Sequence, residues 1–213
     1  IERVEVLRGP QGILFGRNVT GGAILITTKK PDDTVTAKLR GSVTGGGPGG
    51  LNKTIQGAVN IPLTDNLFTK VSVYHNNDEG WFKNKFDGSN HGAVEQTLFR
   101  SSTLWEPTDD LTLELKYENL DLDGDGPSGQ NHTNGMGINP NLAFSGAHPL
   151  APYAVTFDRD SHDFAINEPG WQKIETELLS LNLNWDVAGG TMTYIYGWRD
   201  YYSPTRGDID AQP

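Results

Sequence analysis

Between residues 35 and 201 lie seven strand-length runs, in most of which apolar and polar side chains exchange places at every second position. That period admits strands and excludes helices, because successive strand side chains point to opposite faces whereas a helix repeats every 3.6 residues. The runs cover 35–44, 53–61, 67–76, 94–106, 111–119, 177–187 and 191–201. In the first, Val35, Ala37, Leu39, Gly41 and Val43 oppose Thr36, Lys38, Arg40, Ser42 and Thr44. In the fifth, Leu111, Leu113, Leu115 and Tyr117 oppose Thr112, Glu114, Lys116 and Glu118. The sixth sets Leu179, Leu181, Leu183, Trp185 and Val187 against Ser180, Asn182, Asn184 and Asp186, and the seventh sets Met192, Tyr194, Tyr196 and Trp198 against Thr193, Gly197 and Arg199. The third run is ambiguous, with Val71 and Val73 on one face but Phe68 and Tyr74 on the other.

The connections carry a second regularity. Turns at 62–66, 107–110 and 188–190 are short and hold turn-forming Pro, Asp, Asn and Gly. They alternate with longer connections at 45–52, 77–93 and 121–176. Short turns opposite long loops, with strands that are apolar on one side only, are the layout of an outer-membrane barrel. Trp185 and Trp198 near strand ends fit the aromatic girdle of such a wall. Seven strands do not close a barrel, because single-chain bacterial barrels have even numbers and plugged transporters about 22. The expected fold is therefore all-β, a partial transmembrane antiparallel β-barrel. Its open edge and lipid-facing stripe should keep these residues from reaching the native structure alone.

Composition narrows the function classes. The net charge of −10 argues against a nucleic-acid partner, which needs a basic face. The absence of cysteine removes disulfide frameworks, thiol catalysis and Cys-based zinc sites. No run approaches the roughly 18 apolar residues of a membrane helix, a test that barrel strands escape because only alternate residues face lipid. The chain opens at Ile1 without an initiator Met and stops at Pro213 in loop-like sequence, so it is expected to be a fragment.

Residues 1–31, IERVEVLRGPQGILFGRNVTGGAILITTKKP, have a different texture. Val4 and Val6 among flanking charges read as a half-buried strand ended by Gly9 and Pro10. Gly12, Gly16, Gly21 and Gly22 punctuate the next stretch, and 23–28 reads as a short apolar strand buried on both faces. This run resembles the C-terminal end of the plug domain in TonB-dependent outer-membrane receptors, where phrases like VEVLRGPQG, LFG and GGAI followed by TKKP recur together. Ile13 and Leu25 are less usual there, as apolar swaps. The resemblance implies residues 1–31 as the end of an N-terminal plug domain, and 32–213 as the first seven or so barrel strands with their external loops. It further implies active transport of a large scarce nutrient, most often a ferric siderophore, across the bacterial outer membrane. TonB would act through a box that this chain does not contain, and the other partners would be outer-membrane lipid and a small-molecule ligand. The plug motif residues are Arg8, Gly9, Pro10, Gly12, Gly16, Arg17, Gly21 and Gly22. Residues 1–30 carry +3, from five cations against Glu2 and Glu5, which leaves −13 elsewhere. A basic plug end inside an acidic wall is therefore expected, with Arg8 and Arg17 paired to the wall. Two other readings remain: a passive porin-like barrel, which gives no reason for residues 1–31, and a soluble β-sandwich binding or adhesin module.

Candidate sites are few. No nucleophile elbow, H-E-x-x-H or meeting carboxylate pair marks an enzyme, and no cofactor is expected beyond a transported iron chelate. Trp81 and Phe82 in the second long connection, and His132, Tyr153 and Trp171 in the third, are ligand-contact candidates because imidazole and aromatic rings suit a chelate and its arms. Asp121, Asp123, Asp125 and Gly126 open like a calcium loop, but His132 stands where the bidentate Glu belongs. The acidic third connection tilts expectation toward a neutral or weakly anionic ligand. Gly45 to Gly50 formally match a phosphate cradle, yet no helix follows to make one.

Overall fold

The computed structural model describes residues 2–16, 19–45, 49–127, 163–164 and 166–207. The chain starts with β1 (Arg3–Arg8), a single helical turn α1 (Gly12–Phe15) and β2 (Gly22–Thr27). The wall follows as β3 (Thr36–Thr44), β4 (Asn52–Thr64) and β5 (Leu67–Asp78). Two short strands, β6 (Phe82–Asn84) and β7 (Asn90–His91), precede β8 (Val94–Thr108) and β9 (Leu111–Gly124). Last come β10 (Asp163–Phe164), β11 (Trp171–Val187), β12 (Gly190–Tyr202) and β13 (Thr205–Arg206). All seven expected wall strands form, and the described residues are all-β apart from one helical turn.

The wall is an up-and-down antiparallel meander in the order β3, β4, β5, β8, β9, β11, β12, with β13 pairing the start of β11. Its register lines up one polar row, Lys38, Ala58, Ser72, Arg100, Glu118, Leu178 and Arg199. The neighbouring row on the opposite face is Ala37, Val59, Val71, Ser101, Tyr117, Leu179 and Trp198. Connector residues lie against the polar face, which is therefore the inner one. This settles β5: Val71 and Val73 are outward, while inward Phe68 is buried beside Leu104.

Outward apolar residues on β11 run from Leu179 to Val187. Eight residues at about 3.4 Å each, tilted by roughly 40°, span about 20 Å, close to the roughly 25 Å lipid band of such walls. Beyond the band the strands run on past their expected ends, with β9 reaching Gly124 and β11 beginning at Trp171. The alternation marked only the lipid-facing part, because above it the outward residues are Asn119, Asp121, Asp123, Glu175 and Glu177.

The turns tighten as well. β4 and β8 each absorb a proline, Pro62 and Pro107, at a register shift beside a two-residue turn. A bulge is where a residue without an N–H costs no ladder bond. The third turn uses Ala188 at φ +52° and Gly189 at φ +79°, the paired positive angles of a two-residue hairpin.

β1 and β2 pair antiparallel from Arg3 with Thr27 to Arg8 with Gly22. The loop between them is closed by Gly9 N–H donating to the Gly21 carbonyl at 3.2 Å and Gln11 N–H to that of Val19 at 2.9 Å. The expectation that 23–28 is buried on both faces does not hold. Ile24 and Ile26 are 68% and 60% exposed, and Val4 and Val6 lie opposite them, also exposed. A continuous apolar run needs cover on both sides, and no described element covers this face.

Candidate ligand-facing shelf and inner wall

At the long-connection end, β6 pairs antiparallel with β7 and parallel with β10, so the second and third connections join in one small sheet. Asn84 is the pin. It is 3% exposed; its Nδ2 donates to the Ile166 carbonyl at 2.9 Å, and its Oδ1 accepts from the Ile166 N–H at 3.1 Å. A carboxamide thus completes a bridge that a backbone peptide would otherwise make, and Ile166 itself is 1% exposed. A second tie lies alongside. Buried His91 donates from Nε2 to the Gly126 carbonyl at 3.1 Å, with Nδ1 at 3.7 Å from Asp125. Asp125 accepts from the Ala93 N–H at 2.8 Å, and Arg206 pairs with Glu168 at 2.8 Å.

This frame presents exposed aromatic rings from Trp81, Phe82, Phe86 and Trp171. Trp81 and Phe82 stand at the small sheet and Trp171 at the start of β11, while His132 and Tyr153 lie outside the described residues. Asp121 and Asp123 stay in extended β9, where Asp123 faces Glu95 and Lys173, and Asp125 is drawn to Ala93 and His91. Among the described residues no three acids or histidines gather as a metal site would require. The described end of the glycine-rich connection is anchored to the next connection. The Gly50 N–H donates to the Gly80 carbonyl at 2.7 Å, and the Leu51 N–H to Glu79 at 3.1 Å. The Glu79 carboxyl is held below its ordinary range by its hydrogen bond from Lys53, helped by the one from Leu51.

On the inner face the connector is tied to the wall by Asn60. Its Nδ2 donates to the carbonyl and carboxylate of Asp32, each at 2.9 Å, and to the Thr34 carbonyl at 2.7 Å. Asp32 in turn pairs with Lys29, whose hydrogen bond is the main cause of its lowered pKa. Glu114, 5% exposed, lies 3.5 Å from Lys30 and 2.7 Å from Lys116, a carboxylate shared between connector and wall. Lys70 donates to the Lys29 carbonyl at 3.3 Å.

The inner wall carries both signs: Lys38, Arg40, Lys70 and Arg100 on β3, β5 and β8, and Glu114 and Glu118 on β9, with Glu114 facing Lys30 of the basic end. Arg8 makes no ion pair with the wall among the described residues, and Arg17 lies outside them. In the plug motif, Gly9 and Gly21 close the loop by their hydrogen bond, Gly12 and Gly16 bracket the helical turn, and Pro10 follows β1. Gly22 packs so close to β1 that a Cβ there would strike the Leu7 carbonyl.

Asn84, Asn60 and Glu114 were not singled out from sequence as site residues. Their polar-face phase was visible for Asn60 and Glu114, but nothing local marks Asn84, whose partner lies 82 residues away.

The ferrioxamine receptor of Yersinia enterocolitica is 28% identical over 138 residues, 62% of this chain and 17% of its own length. The pesticin receptor of the same species is 33% identical over 117 residues, half of this chain and 16% of its own length. The chain is similar to one stretch of these TonB-dependent outer-membrane receptors. It spans about one-sixth of the curated relatives it matches. The fold agrees: the ferric yersiniabactin uptake receptor FyuA from Yersinia pestis matches 95% of this chain and 28% of its own, with a TM-score of 0.64 at 17% identity. The siderophore receptor PirA from Pseudomonas aeruginosa matches the same shares with a TM-score of 0.61 at 15% identity. No family model matches the chain.

Proposed function

We propose that the receptor containing this chain takes up a ferric siderophore, or a comparably large scarce nutrient, across the bacterial outer membrane, using energy supplied through TonB. Residues 1–31 are the end of its plug, and 32–213 are the first seven strands of its wall with their outer loops. The observation that carries this is the junction itself: a plug-type hairpin runs through a pinned connector into the inner face of a lipid-banded sheet. A sandwich is disfavoured because the outward apolar row has no second sheet against it among the described residues. A passive pore leaves the hairpin and connector without a role. Trp81, Phe82 and Trp171 are the ligand contacts we assign to the shelf, with His132 and Tyr153 as further candidates.

Deletion of the gene should abolish uptake of radiolabelled ferric chelate under iron limitation, and a strain lacking TonB should match the deletion. Uptake that persists without TonB would return the passive pore as the better reading.

A further inference from the structure

The ties of the outer end meet at one residue. Gly126, which is buried, donates its N–H to the Pro169 carbonyl at 3.2 Å and accepts from His91 at its own carbonyl at 3.1 Å. Its α-carbon faces a third segment: a Cβ placed there would stand 2.0 Å from the Arg206 carbonyl oxygen. The second connection, both ends of the third and the stretch after β12 therefore touch around a single peptide. Further bonds join the same segments. Asp125 and Ala93 exchange two, at 2.9 and 2.8 Å, the Lys173 N–H donates to the Pro204 carbonyl at 3.0 Å, and β13 pairs Arg206 with Trp171. Asn84 closes the far side on Ile166. Gly170 and Gly207 leave as little room, since a Cβ at the first would lie 2.2 Å from the Arg206 carbonyl oxygen and at the second 2.5 Å from that of Pro127.

We infer that these segments form one clasp that opens as a unit, so that the second connection, the third and the chain beyond β12 are not independent loops. Releasing any one segment takes hydrogen-bond partners from buried groups on the others. Without the second connection the Gly126 carbonyl loses His91, and without the third the Asn84 carboxamide loses Ile166. Each buried group so exposed to no partner carries the full cost of its desolvation, so states with one segment free are rare and the segments leave together. Close packing of backbone on backbone removes the slack that would let one shift while the others stay. The clasp also sets the aromatic rings. Trp81 and Phe82 follow Gly80, which packs against the His91 carbonyl, and Trp171 is paired with Arg206. The distance between the two sets of rings is therefore fixed by the same junction.

The test is amide hydrogen exchange in the full-length receptor, on Gly126→Ala and, from the opposite side, Asn84→Ala. Retained heat-modifiable gel migration identifies folded barrels. Either variant should speed exchange roughly tenfold or more at 80–93, 166–173 and 203–207 together, and leave the band strands at 111–119 and 179–186 unchanged. No hydrogen bond among the described residues joins Asn84 to 203–207, so acceleration there reads the unit itself. Acceleration confined to the segment carrying the substitution would overturn the clasp. If Gly126→Ala does not assemble, the Asn84 variant decides alone by the same rule. Nitroxide labels on Trp81→Cys and Trp171→Cys should give one narrow distance in the otherwise wild-type receptor and a broadened one when Asn84→Ala is added. A distribution already broad before that change would overturn the fixed spacing of the rings. None of these readouts needs a ligand, so failure of the clasp and failure of the transporter reading are told apart.

Discussion

The lower and upper halves of β9 and β11 are built from one continuous ladder and turn the same face outward, but that face is apolar below and acidic above. In the lower half Leu111, Leu113, Leu115, Leu179, Leu181 and Leu183 point outward, and Glu114, Lys116, Glu118, Ser180 and Asn182 point inward. In the upper half Asn119, Asp121, Asp123, Glu175 and Glu177 point outward, while Leu120, Leu122 and Ile174 point inward. Backbone pairing is indifferent to the change. The surrounding medium decides the side chains, because a charge facing hydrocarbon is expensive and one facing water is not. The lesson is that a strand's length and its apolar stripe report different things.

The largest test of that contrast is an arginine on each half. Leu183→Arg should cost about 2–4 kcal/mol at the middle of the band, seen as lost barrel assembly or an earlier denaturant midpoint in the full-length receptor. Asp121→Arg should stay within about 0.5 kcal/mol; equal effects would break the contrast. Next comes the upper half's own fastening. Asn84→Ala leaves the buried N–H and carbonyl of Ile166 unpaired, at roughly 1–3 kcal/mol. Faster amide exchange and proteolysis should appear in 125–170, with the wall's melting unchanged; a shift in the wall instead would show that the halves are not separately held.

At the lower rim the hairpin turn is a smaller lever. Gly189→Ala should destabilise by about 1 kcal/mol and Ala188→Gly should stabilise by up to a similar amount, because both positions hold positive φ. Paired unfolding curves would show opposite shifts.

The smallest effect concerns pH at the connector. The Lys29 hydrogen bond depresses the Asp32 carboxyl and raises Lys29. The contribution from Asp32 is whole above the ordinary aspartate value and fades as pH falls through the lowered one. That from Lys29 is whole below the ordinary lysine value and fades as pH rises through the raised one. Connector proteolysis should therefore be flat through neutrality and rise only at the two extremes. A rise near pH 6 would point to a histidine instead.

How much of this was legible follows from range. The period-two stripes located most wall strands, since lipid and water impose alternation residue by residue, while β5 and β8 were placed by their length and flanking turns. Strand ends were misjudged where the stripe stopped but the ladder continued, as at Asp121 to Gly124. Proline placement misled in the same way, because Pro62 and Pro107 read as turn residues yet sit in bulges. The shelf was half visible: Trp81, Phe82 and Trp171 stood out as aromatic, but Asn84, which joins their connections, acts across 82 residues and leaves no local signal. The cations on the inner face of β3 were hidden for a different reason. A segment's net charge does not say which face carries it, and Lys38 and Arg40 are outnumbered by acids elsewhere in the chain.

The most direct measurement is a single-cysteine scan along β9 of the receptor in native membranes, aided by the absence of cysteine from these 213 residues. Probes at 113 and 115 should resist water-soluble thiol reagents and be quenched from lipid, and probes at 119, 121 and 123 should react freely and escape that quenching. Free aqueous labelling at 113 and 115 would contradict a lipid-facing wall, and with it the account of the chain as part of an outer-membrane receptor.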